Sequence, residues 1–201
     1  MYELKGLDTL IFIRGRNVMI VKKILYAAAK MLGIGMEVEA YFENDTADFE
    51  REGESLLQCY NLVEKELALD YFPLNAEDTL FTLTGRVEFS KFAHAPVRIL
   101  EVKNENGQKL DFELFPAYLK AQAGSLTIVY TYSPEEKGAF DECEYGSSVS
   151  ETMFMYGTMA QYALLQGMYE EALVWDKKYK KAIENTYTMH SCKRLQSRRW
   201  V

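Results

Sequence analysis

The sequence predicts an α+β fold, with two N-terminal helices, a small antiparallel β-sheet of four to five strands and a C-terminal helical hairpin. Three observations lead there. Near both ends of the chain, apolar residues recur at three- and four-residue steps, the periodicity of an amphipathic helix. Between Val87 and Tyr132, apolar and polar side chains alternate with turn residues interspersed, the period of a half-buried strand. Finally, 201 residues at 48% hydrophobic and 26% charged suffice to bury a core as one unit, so disorder is not the main state.

Residues 1–18 fit no element. Leu10-Ile11-Phe12-Ile13 reads as a short strand, stopped at once by Arg14-Gly15-Arg16-Asn17. Met19 offers a second start, so residues 1–18 are expected to be a peripheral extension or a misassigned start. Residues 19–201 are expected to form a single α+β domain with a basic C-terminal tail. From Met19 to Leu32, Ile20, Ile24, Ala27, Ala28, Met31 and Leu32 have helical spacing, and Gly33 and Gly35 read as stop signals. A second helix is predicted from Ala47 to Tyr71, where Phe49, Leu56, Tyr60, Val63 and Leu67 form one apolar stripe. Pro73 ends it.

The period then changes. Val87 and Phe89 alternate with Arg86 and Glu88, and Val97–Val102 reads as a strand. Asn104-Glu105-Asn106-Gly107 is a hairpin turn signal, followed by alternation at Leu110, Phe112 and Leu114. A further hairpin is predicted from Tyr118–Gln122 through Ala123-Gly124 to Leu126–Tyr132, completing an antiparallel meander. After the acidic loop Glu135–Gly146, Ser148-Val149-Ser150-Glu151 matches a capping box. The helix it starts runs to Gln166, and Gly167 separates it from another, Tyr169 to about Tyr187. The core is expected to include Ile24, Leu56, Tyr60, Val63, Leu67, Phe89, Ile99, Phe112, Ile128, Met159, Leu164 and Trp175.

The net charge of −7 opposes a whole-surface attraction to nucleic acid. An odd, widely spaced set of cysteines, Cys59, Cys143 and Cys192, fits a reducing compartment better than a disulfide framework. The apolar run Val18–Ile34 is short and broken by Lys22, Lys23 and Lys30, so neither a membrane span nor a signal segment is expected.

No catalytic, cofactor-binding or metal-ligating residues are predicted. The two histidines, His94 and His190, form no ligand pair with a cysteine at metal spacing. His190-Ser191-Cys192 sets a nucleophile near a base, but neighbouring residues on a helix point apart and no third group orients the histidine. Gly33-Ile34-Gly35-Met36 follows a helix rather than a strand, so a helix stop is favoured over a phosphate loop. Asp141, Glu142 and Glu144 are read as solvated acids. The stripe Met153, Tyr156, Met159, Ala160, Ala163, Leu164 is read as helix-packing core, with Gly157 admitting a neighbouring helix closely. The favoured functional stretch is the basic tail, where Lys193, Arg194, Arg198, Arg199 and Trp200 combine charge with an aromatic ring. Such a segment pairs with phosphates or an acidic protein surface.

The segment from Tyr162 to Tyr179, YALLQGMYEEALVWDKKY, resembles the closing helical hairpin of tailed-bacteriophage head–tail connector (adaptor, or head completion) proteins. The upstream order of helices and then a small antiparallel sheet is similar too. The resemblance covers roughly Met19 to Val201, and residues 1–18 depart from it. It implies a structural virion protein, made in the bacterial host cytoplasm, that joins portal to tail by self-association and protein docking. The implied partners are the portal protein, tail or head-completion proteins and further copies in a homo-oligomeric ring. DNA is implied only as channel contents, and no membrane, cofactor or catalytic site. The basic tail is then a docking arm. The alternative is a cellular peptide- or protein-binding module, because Gly167-Met168-Tyr169-Glu170-Glu171-Ala172 with Tyr179 and Ala182 also resembles half of a tetratricopeptide repeat. No second copy is evident near the expected offset. A third reading, an enzyme with an acidic site, predicts that a divalent cation shifts the melting temperature.

Overall fold

The computed structural model describes residues 19–44, 50–146 and 149–190, and the architecture is α+β. Helix α1 (Val21–Leu32) buries Val21, Ile24, Leu25, Ala28 and Ala29 along one face. Gly33 ends it at φ 81°, a left-handed conformation that costs glycine little, and its N–H bonds back to the Ala29 carbonyl. Gly35, read as a second stop, instead opens helix α2 (Gly35–Asn44), which the sequence reading had left without an element. Val38 carries α2 into the core, while Met36 stays exposed.

Helix α3 (Glu50–Glu66) continues as a π-helical turn over Leu67–Tyr71, ending just before Pro73 as expected. Residues 47–49 of the predicted helix lie outside the described residues. Leu56, Cys59, Tyr60, Val63 and Leu67 form its buried stripe. Helices α4 (Glu151–Leu165) and α5 (Tyr169–His190) make the predicted antiparallel hairpin, and α4 packs against α1, α3 and α5. Close approach on α4 is real at Gly157. A Cβ placed there would lie 2.7 Å from Val63 Cγ1 and 3.0 Å from Tyr179 Cε2.

The cap of α4 differs from expectation. Ser150 Oγ accepts the Met153 N–H at 3.3 Å, whereas Ser148 lies outside the described residues. Glu151 is thus the first helical residue, two positions too early to reach back to the cap in a capping box. Its carboxylate instead pairs with Lys23 Nζ at 2.7 Å, joining α4 to α1.

The strands form two three-stranded antiparallel sheets rather than one meander. They are β1 (Leu74–Thr82), β2 (Arg86–Glu88), β3 (Pro96–Asn104), β4 (Glu113–Leu114), β5 (Tyr118–Lys120) and β6 (Gly124–Tyr132). One sheet has the order β1-β6-β3, the other β2-β5-β4. Strand β6 is central and buries Leu126, Ile128 and Tyr130 on one face. Its registry with β1 runs from Leu74 opposite Tyr132 to Thr82 opposite Gly124.

The Asn104–Gly107 turn forms as predicted, with Gly107 at φ 75° and its N–H on the Asn104 carbonyl at 2.9 Å. After Leu110 bonds Val102, the chain leaves β3, and Glu113–Leu114 pair with β5 instead. The predicted hairpin of Tyr118–Gln122 with Leu126–Tyr132 does not form, because β5 pairs with β2 and β4 while β6 takes β1 and β3.

Two hydrophobic clusters result, one among the helices with Ala139, Cys143, Tyr145 and Val149, and one within the sheets. Of the expected core, Ile24, Leu56, Tyr60, Val63, Leu67, Ile99, Ile128 and Met159 are buried, while Phe89, Phe112 and Trp175 are half-buried. Leu164 is 51% exposed, since the last turn of α4 turns it outward beside α5. No helix among the described residues is long and apolar enough to cross a membrane.

Candidate functional site

The predicted docking residues Lys193, Arg194, Arg198, Arg199 and Trp200 lie outside the described residues, as do Ser191 and Cys192. The structure describes where that segment departs. On the last turns of α5, the Tyr187 ring stacks on Phe72 with centroids 4.9 Å apart, and its hydroxyl donates to the Tyr71 carbonyl. The last turns of α5 therefore lie beside the seam where α3 hands over to β1. This seam carries acids. Burial pushes the Glu66 carboxyl above the usual carboxylate range, and the charges of Asp70 and Asp176 push it the same way. Also at the seam is a groove of about 310 Å³ whose lining includes Leu69, Pro73, Val97, Leu100 and Tyr132.

Asp141, Glu142 and Glu144 are exposed, as solvated acids are expected to be, but the loop that carries them is anchored. Asp141 Oδ2 accepts the Gly138 N–H at 2.7 Å, and the Asp141 carbonyl accepts the Val21 N–H at 3.1 Å. Glu142 bridges to Ile20, and Glu144 pairs with Lys137 Nζ at 2.7 Å. Asn61 of α3 exchanges two hydrogen bonds with the Lys137 backbone, at 3.0 and 2.8 Å. Residues 137–145 thus strap α1 to α3.

Under the strap lies Glu64, 1% exposed. Its Oε1 accepts the Glu144 N–H at 3.0 Å and the Tyr60 hydroxyl at 3.3 Å, and Oε2 has no hydrogen-bond partner. Burial raises the Glu64 carboxyl above its ordinary value against the pull of those donors. Burial likewise pushes the Cys143 thiol up to about 12 and Cys59 to about 11, so both stay protonated and neither offers a thiolate. This cluster holds the strap down, through the Glu144 N–H and Tyr60 hydroxyl on Glu64. His94 is stacked on Tyr132 with centroids 4.2 Å apart. Among the described residues no group of three or more His, Cys, Asp and Glu is arranged to hold a metal ion.

The remaining feature is the closed end of the α4–α5 hairpin. Ala160, Leu164, Tyr169, Ala172 and Leu173 line a groove of about 300 Å³ between the helices, with Gln161 and Asp176 also in its wall. Sequence reasoning missed this surface by assigning Leu164 to the core. Residue type alone did not single it out, because the exposure of Leu173 and Val174 and the burial of Ala172, Tyr179 and Ile183 appear only in the packed helix.

No protein-family model matches the chain, and no curated protein matches it.

Proposed function

We propose that this chain is a phage head–tail adaptor, a structural virion protein that joins portal to tail by docking and self-association and carries no catalytic site. The observation that supports the reading is the layout of the chain. Helices come first and small antiparallel sheets follow. A long helical hairpin then closes the body, with a basic segment after its last helix. In this reading Lys193, Arg194, Arg198, Arg199 and Trp200 engage an acidic portal surface. The last turns of α5, which precede that arm, are held to the seam through Tyr187.

Two experiments test it. Sequencing the DNA on either side of the gene should find portal, capsid and tail reading frames. A setting of cellular genes sinks the proposal and turns attention to peptide-binding screens. Deleting residues 193–201 should abolish capture by the neighbouring portal protein while leaving far-ultraviolet circular dichroism unchanged. Undiminished capture removes the tail from the mechanism.

A further inference from the structure

The exposed face of α5 carries an apolar centre with opposite charges at its two ends. Ala172, Tyr179 and Ile183 face inward. The opposite face is a stripe at three- and four-residue spacing, Glu170, Leu173, Val174, Lys177 and Lys181, all exposed. Leu173 is 60% and Val174 52% exposed, and Tyr169 and Leu164 extend the apolar area across the groove to α4. These exposed apolar side chains lie side by side, and a clustered apolar patch on a surface marks an interaction site more often than scattered apolar residues do.

The charges select the occupant. Glu170, Glu171 and Lys177 form no ion pair among the described residues, whereas Lys178 is taken up by the Trp175 ring, 4.1 Å from its centroid. We propose that the covering partner is a second copy of this chain, its α5 antiparallel to the first about a two-fold axis between Leu173 and Val174. The axis sets Leu173 of one copy against Val174 of the other. It also sets Glu170 opposite Lys177, and symmetry makes that pair twice. A parallel arrangement would oppose Glu170 to Glu170 and Lys177 to Lys177, so the stripe fixes the direction as well as the partner. Antiparallel helix dipoles favour the same choice. The pairing rests on α5 and α4 alone and stands apart from the adaptor reading.

Sedimentation equilibrium of the full chain tests it, with circular dichroism to check that each variant folds. The wild type should pass from monomer to dimer with rising concentration, and Leu173→Glu should remain monomeric. Lys177→Glu and Glu170→Lys, each turning two attractions into repulsions, should each weaken the dimer about tenfold. The double variant Glu170→Lys/Lys177→Glu should recover the wild-type constant. A wild type that stays monomeric leaves this face to another protein and overturns the proposal, as does a dimer indifferent to Leu173→Glu. Single charge variants that weaken the dimer without recovery in the double variant overturn the antiparallel arrangement.

Discussion

At the scale of single residues, the helical core is organised around two positions where one atom decides the outcome. A methyl group at Gly157 would meet Val63 and Tyr179 at or inside contact distance, and all three are buried. Gly157→Ala gains up to about 1 kcal/mol of helix propensity. It loses roughly 1–3 kcal/mol to overpacking, so a net loss of about 1 kcal/mol and a lower Tm are expected in thermal unfolding. Glu64 is the second position. Burial raises its carboxyl in the folded chain, so between the ordinary carboxylate range and that raised value the folded state binds more protons than the unfolded one. The sign follows from linkage: stability falls as pH rises through this window, and the penalty is absent below it. Glu64→Gln cannot ionise. Its Tm relative to wild type should therefore climb from acid toward neutral pH and then level off; a difference independent of pH would show that Glu64 is not the group responsible.

At the scale of elements, what was legible in the sequence was what local spacing encodes. Helices α1, α3, α4 and α5 each repeat an apolar stripe over three turns or more, and the Asn104–Gly107 turn is a local device. What escaped was non-local or polar. Strand β1 alternates inward and outward, but Asp78 occupies one of the inward positions and breaks the apolar pattern. The structure shows why an acid is tolerated. Asp78 Oδ2 accepts the Tyr130 hydroxyl and the Ala93 N–H, both at 2.8 Å, tying β1 to β6 and to the loop before β3. Asp78→Ala leaves both donors without that acceptor and should cost about 1–3 kcal/mol in denaturant unfolding. A loss within experimental error would mean water replaces it. The meander failed for a related reason. Proximity favours β5 with β6, yet β6 pairs with β1, about fifty residues upstream, over its full nine residues. Helix α2 was missed because a single buried side chain, Val38, leaves no stripe to read.

At the scale of the whole molecule, charge is arranged against its average. The chain is acidic at −7, yet from Asp176 to Val201 eight Lys and Arg residues face only Asp176 and Glu184 in sequence. The proposed docking through that end should weaken as ionic strength rises toward the point where the Debye length is about 8 Å, a second signature for the portal-capture assay. The chemistry of residues 193–201 was legible as composition, but its partner is not encoded in the chain. The hairpin surface, by contrast, emerges only once α5 is packed, because exposure rather than residue type distinguishes Leu173 from Ala172.

The stack of Tyr187 on Phe72, with its hydroxyl on the Tyr71 backbone, has a mechanical consequence. Tension entering α5 from its C-terminal end meets this stack and hydrogen bond first, so part of it passes directly to the residues that join the helices to β1.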